Sequence, residues 1–155
     1  MDKIRVLLAD DHAEFRRLVS EFLNKMPHVS VVGEAGDGRD AVEKVARLSP
    51  DMVLMDISMP ELSGIEATRI IKQRWPHTLV VIATTYDNQI YRLQAEEAKA
   101  DAYVMKSDLK SVLESVFGIP KGEFTKSSLQ RIFRPSSGER QENRSVFAGN
   151  DSDSK

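Results

Sequence analysis

Three nearly unbroken apolar runs, Ile4 to Ala9, Met52 to Met55 and Leu79 to Ala83, are of strand length, and a helical pattern follows each. A strand apolar on both faces must be covered on both faces, which implies a parallel sheet with helices above and below it. Val29 to Val32 and Ala102 to Met105 are weaker runs of the same kind. Between the runs, Phe15, Leu18, Val19, Phe22, Leu23 and Met26 fall on one helical face, and Leu109, Val112, Leu113, Val116 and Phe117 repeat that spacing. Ala41, Val45 and Leu48 do so more sparsely. Ser63-Gly64-Ile65-Glu66 reads as a capping box opening a helix through Trp75, which Pro76 helps end. The stretch from Asn88 to Ala98 is read as the remaining helix, anchored by Ile90 and Leu93. Five strands thus alternate with five helices. Right-handed crossovers turn that order into an α/β fold, a (βα)5 doubly wound parallel sheet, for which the flavodoxin-like strand order 2-1-3-4-5 is expected.

A length of 155 residues leaves room for one domain and a short appendage. Composition shifts after Gly118. Residues 1–118 carry 15 basic and 19 acidic groups, whereas 119–155 carry 7 and 5 and contain seven serines with few apolar residues. The reading is a domain over 1–118 and a tail over 119–155 expected to be disordered, with at most one or two helical turns from Ser127 to Phe133. The formal charge of −2 is too balanced to indicate nucleic acid or an anionic membrane as a general partner. Without cysteine, disulfide scaffolds, thiolate metal sites and cysteine nucleophiles are excluded. No apolar stretch approaches the roughly 20 residues that span a bilayer, so a cytoplasmic location is expected.

In such a sheet, ligands bind at the carboxyl ends of the strands, beside the switch point between strands 1 and 3. Strand 1 ends in Asp10-Asp11, strand 3 in Asp56, strand 4 in Thr84-Thr85 and strand 5 in Lys106. Three carboxylates in one crevice repel each other unless a cation sits among them, and hard oxygen donors favour Mg²⁺ or a similar ion. Carboxylates, one lysine and one hydroxyl are the set needed to stabilise a transferring phosphoryl group, and a carboxylate can itself be the nucleophile. Taken singly, Asp11 reads as a helix cap, Asp56 as a strand terminator and Lys106 as a surface charge. Their joint placement on one sheet edge is what such readings leave unexplained.

These residues resemble the receiver domain of bacterial two-component response regulators over about residues 3–117. The resemblance rests on Asp10-Asp11, on the segment Asp56-Ile57-Ser58-Met59-Pro60-Glu61-Leu62-Ser63-Gly64, and on Thr84, Tyr103 and Lys106 in order. Gly33-Glu34-Ala35-Gly36-Asp37-Gly38 and Ser49-Pro50-Asp51 look most like receivers of the NarL/LuxR type. The resemblance implies that Asp56 accepts a phosphoryl group from a histidine kinase or phosphotransfer protein. It implies Mg²⁺, or Mn²⁺, held by Asp11, Asp56 and the Ser58 main-chain carbonyl, with Asp10 acting through water. Lys106 would contact the phosphoryl oxygens, and Thr84 and Tyr103 would form the switch pair, the ring entering space that Thr84 vacates. Such a domain is a signalling phosphoacceptor catalysing only its own phosphorylation and dephosphorylation, and a homodimer formed on phosphorylation is compatible with it.

Ala98-Lys99-Ala100-Asp101-Ala102-Tyr103 departs from the glycine-containing family pattern there, and Ser107 replaces a frequent proline. A left-handed Lys99 would cost about 1 kcal/mol relative to glycine. NarL/LuxR-type regulators add a helix-turn-helix of about 60 residues, whereas 37 residues follow Gly118 with no helix pair apparent, so DNA binding is not expected from this chain alone. The receiver half of a truncated DNA-binding regulator is the alternative. Two other classes fit poorly. A flavin-nucleotide binder would not place Asp10-Asp11-His12 in its phosphate loop, and an aspartyl-nucleophile phosphatase would need a second acid at the position of Ser58. His12, His28 and His77 are scattered and read as surface or cap residues. Removing Asp11 is expected to relieve repulsion among the acids.

Overall fold

The computed structural model describes residues 3–118, 127–128 and 144–146. Strands β1 (Ile4–Ala9), β2 (Val29–Ala35), β3 (Met52–Met55), β4 (Leu79–Thr84) and β5 (Ala102–Met105) alternate with helices α1 (Ala13–Asn24), α2 (Gly38–Leu48), α3 (Gly64–Arg74), α4 (Gln89–Glu97) and α5 (Leu109–Val116). A 3-10 turn, Lys106–Asp108, joins β5 to α5. The five strands are parallel in the order β2-β1-β3-β4-β5, the flavodoxin-like arrangement expected from the alternation.

Alternate residues of each strand serve opposite faces. Ile4, Val6 and Leu8 pack with Val19 and Leu23 of α1 and with Leu109, Val112, Leu113 and Val116 of α5. Leu7 and Ala9 face Ala41 and Val45 of α2, together with Ile65, Ala67 and Ile71 of α3 and Ala95 of α4. A fully buried Leu or Ile contributes roughly 1.5–3 kcal/mol, so a sheet sandwiched this way is stabilised chiefly by its central strands. Three helix starts carry side-chain caps, of which the sequence had shown the one at Ser63. Ser63 accepts from the Glu66 N–H at 3.2 Å, Asp37 from Asp40, and Asn88 from Ile90 and Tyr91.

Residues 144–146 form a further strand, β6, antiparallel to β5, with Tyr103 opposite Ser145. The five-strand reading did not include it, nor did the expectation of a disordered tail. A bare strand edge offers unpaired N–H and C=O groups to any extended segment, whatever its side-chain pattern. Residues 127 and 128 are helical. The rest of the Ser127 to Phe133 turn, and the rest of the tail, lie outside the described residues.

Lys99 adopts φ 74°, the left-handed conformation its place after α4 demands. Its N–H donates to the Glu96 carbonyl and that of Ala100 to the Ala95 carbonyl, closing the helix. Lys99→Gly is expected to raise stability by about 1 kcal/mol. A urea midpoint that is unchanged or lowered would show that the side chain contributes more than its backbone costs.

Candidate functional site

Parallel pairing sets the register of the site. Ala9 lies opposite Met55, and the Asp56 N–H donates to the Ala9 carbonyl at 2.9 Å, so the residues that leave β1 and β3 emerge side by side. Ligand atoms of Asp10, Asp11, His12 and Asp56 all lie within 4.8 Å of one another. Helix α1 is capped at His12 with no side-chain cap bond, so neither acid is occupied as a helix cap. Gly64 is needed here. A Cβ on it would stand 1.7 Å from the Asp56 carbonyl oxygen, because the first turn of α3 presses against the phosphoacceptor candidate's own backbone.

Lys106 reaches across from β5. Its ammonium is 2.6 Å from Asp10 Oδ2, 3.5 Å from Asp56 Oδ1 and 4.1 Å from the centroid of the Phe15 ring. Asp10 and Asp56 are buried, whereas Asp11 opens to solvent with about a third of its side chain exposed. Burial pushes the Asp56 carboxyl up from its ordinary 3.8 to about 6; the Asp10 charge adds to the rise and Lys106 opposes it. Asp10 is thus the buried acid whose charge adds to the rise, while Asp11 lies nearer the solvent.

Thr84 ends β4, fully buried, and its hydroxyl accepts from the Tyr86 N–H at 3.1 Å. Ser58 is exposed in the loop after β3 and lines a groove with Asp11, Ile57 and Met59. Tyr103 is fully buried, and its hydroxyl donates to the Tyr86 carbonyl at 2.7 Å. The ring lies inside, in the apolar cluster that includes Ile82 and Ala95. Burial raises the phenol above its ordinary value, against the pull of the Arg92 charge.

Residues 6–117 match the response regulator receiver domain family. The chain belongs to that family. The receiver is 36% identical over 122 residues to the transcriptional regulatory protein DegU of Brevibacillus brevis, covering 78% of this chain and 52% of that one. It is 41% identical over 106 residues to the response regulator protein VraR of Staphylococcus saprophyticus, covering 67% and 50%. The solved receiver domain of a NarL response regulator from Mycobacterium tuberculosis superposes with TM-score 0.68 at 31% identity, over 72% of this chain and 90% of that one. The chain thus spans about half the length of these two curated relatives, which are regulators of the NarL/LuxR type.

Several receiver residues at the site were missed in the sequence. His12 Nδ1 stands 3.1 Å from both Asp10 and Asp11, and its N–H donates to Asp10. Its adjacency to the paired acids was the available signal. Arg16 donates to the Asp10 carbonyl and pairs with Glu34 at 2.9 Å, tying the end of β1 to β2. Arg92 lies 5.0 Å from the centroid of the Tyr103 ring, a contact across two elements that no local pattern encodes. The donor set suits a hard cation. Three carboxylates converge, and one of them is raised in pKa by burial and a neighbouring negative charge, which a cation would offset. Among the described residues no helix is long and apolar enough to cross a membrane.

Proposed function

We propose that this receiver, as a unit of residues 1–118 with the tail 119–155, accepts a phosphoryl group on Asp56 from a histidine kinase or phosphotransfer protein and so changes a protein-binding surface. The observation that carries the reading is the Lys106 ammonium set between Asp10 and Asp56, with all the acids at one strand edge. An Asp56 carboxylate oxygen would attack phosphorus as the bond from phosphorus to the donor nitrogen or oxygen breaks, its electron pair leaving with the donor. An acyl phosphate results. Lys106 would turn from the two carboxylates toward the phosphoryl oxygens and offset their charge. Asp10 would hold Lys106 in reach, and Gly64 would keep α3 close against the Asp56 backbone. Asp11, Asp56 and the Ser58 carbonyl would hold Mg²⁺ or Mn²⁺, with Asp10 acting through water; when bound, the ion supplies positive charge against the phosphoryl oxygens.

On this reading the domain turns over no substrate but its own phosphoryl group, acts in the cytoplasm, and signals through a partner or a second copy. Incubation with acetyl phosphate and Mg²⁺ is expected to add a single phosphoryl group to the intact protein by mass spectrometry. No addition, or addition at another residue, overturns the assignment. Asp11→Ala is expected to weaken Mg²⁺ binding by roughly tenfold or more while changing metal-free stability by less than about 0.5 kcal/mol. Wild-type affinity in a calorimetric titration of that variant would remove Asp11 from the ligand set. A second reading, the receiver portion of a longer DNA-binding regulator, is favoured by the span of about half of two regulator relatives. Salt-resistant, sequence-selective duplex binding by this chain would support it, whereas none is expected from residues 1–155.

A further inference from the structure

Strand β6, Arg144–Val146, is the last in the sheet and pairs antiparallel with β5, setting Val146 opposite Ala102, Ser145 opposite Tyr103 and Arg144 opposite Val104. Helix α5 covers one face of the same strand, with Leu109, Val112 and Leu113 clustered with Ala102 and Val104. A helix that follows a parallel strand runs back against it. Because β6 also runs against β5, the chain has to travel from the end of α5 back to the Val104 end of β5 before the pairing begins. That return is roughly 15 Å, a four-residue strand and a turn at about 3.3 Å per residue. Residues 119–143 serve it, 25 in number, with a full reach of roughly 80 Å. Chain length therefore does not tie this strand to its own domain. Nor does the sheet, because β6 has β5 as its one partner among the described strands, over three residue pairs. Backbone pairing at an edge is blind to which molecule supplies the strand.

We propose that the outer edge of β5 is a docking site for an extended segment and that a second copy of the chain fills it with its own residues 144–146, the two copies trading strands. The pairing in such a dimer is the pairing already made within one chain, so the exchange gains and loses no ladder bond. Concentration then decides between the two arrangements. A strand on a connection with this much slack is presented to its own edge at an effective concentration of millimolar order, and other copies compete once their concentration approaches that value. The shortness of β6 sets how readily it lets go, since three residues supply few ladder bonds and each must offset the ordering of its own residue. Exchange is therefore a reversible equilibrium, and its product is a two-fold dimer in which each β5 carries the other copy's strand. The proposal does not depend on the Asp56 reading, because it rests on backbone pairing at the β5 edge alone.

The test uses the full chain, which has no cysteine, so that Ala148→Cys carries a single nitroxide label two residues beyond the strand. In a dilute sample where the same chain bears the label and nitrogen-15, the Ala102, Tyr103 and Val104 amides are expected to broaden, which reports the strand on its own edge. In a second sample, nitrogen-15 chain without label is mixed with an equal amount of labelled chain of natural isotope content at millimolar concentration. Broadening of the same amides then comes only from another copy; it is expected to appear and to fall several-fold on tenfold dilution. The Val31 amide, on the opposite edge strand β2, measures chance encounters. Successive residues of a strand direct their N–H groups to opposite sides, so one of Ser145→Pro and Val146→Pro removes a ladder donor. That variant is expected to lose both effects and to remain monomeric by light scattering at the concentration where the wild type dimerises. Three results overturn the proposal: no β5 broadening in the dilute labelled chain, no broadening in the mixture beyond that of Val31, or a dimer that persists in both proline variants.

Discussion

Asp56→Asn is expected to abolish phosphoryl uptake and, in the metal-free protein, to stabilise the fold by about 1–3 kcal/mol at neutral pH. The carboxyl is buried beside Asp10 and raised to about 6, so at pH 7 the folded state holds a charge it disfavours. Each pH unit between the ordinary and the folded value is worth about 1.4 kcal/mol, giving an upper bound of about 3 kcal/mol. Because the folded state binds the proton more tightly than the unfolded chain, wild-type stability falls as pH rises from about 4 to about 6 and then levels. Asparagine has no such titration. Its amide also loses the ion pair with Lys106, which trims the gain. Urea denaturation in a chelator across that window is therefore expected to show a gap between variant and wild type that opens with pH. A constant gap would mean that the carboxyl titrates at its ordinary value.

Lys72→Met is expected to cost about 3–5 kcal/mol, more than any surface charge change. Lys72 and Asp101 pair at 2.9 Å at the end of the sheet away from the carboxylate site, with side chains 7% and 1% exposed. The ammonium also donates to the Pro76 and Thr78 carbonyls, and the same Asp101 oxygen accepts from the Val80 N–H. Taking away the lysine leaves a buried carboxylate deprived of its cation. The double change Lys72→Met with Asp101→Asn is expected to lose clearly less, since no charge is then stranded. A single variant as stable as the wild type would show that Asp101 is held by its backbone partners alone. Phosphorylation of the folded single variant should be unchanged.

The central strands were legible because burial on both faces writes an unbroken apolar run, so the ends of β1 and β3 fall where sequence puts them. Strand β2 was only half legible. It continues past Val32 through Gly33 and Glu34 to Ala35, and backbone pairing with β1, irregular between Val6 and Leu7, decides that extension rather than side-chain pattern. The convergence of Asp10, Asp11, Asp56 and Lys106 followed from topology, since residues leaving the same edge of a parallel sheet must meet. What stayed hidden depends on side-chain direction or distant pairing. His12 turns back on its neighbours, and Lys106 settles on the Phe15 face. The Tyr103 ring packs inward under Arg92. Asp101, which had no role of its own in the sequence reading, anchors the buried ion pair. The pairing of residues 144–146 spans a long stretch of chain with no periodicity to announce it.

That last pairing bears on how the protein behaves in concentrated solution. A parallel sheet ending at β5 would present a straight row of hydrogen-bonding groups, the template on which foreign strands stack into aggregates. With Ala102, Tyr103 and Val104 faced by Val146, Ser145 and Arg144, that row is spoken for within the chain. Trimming the protein back to Gly118 for crystallisation or labelling would reopen it. Colloidal stability would then depend on edge charges that the short, apolar β5 does not supply.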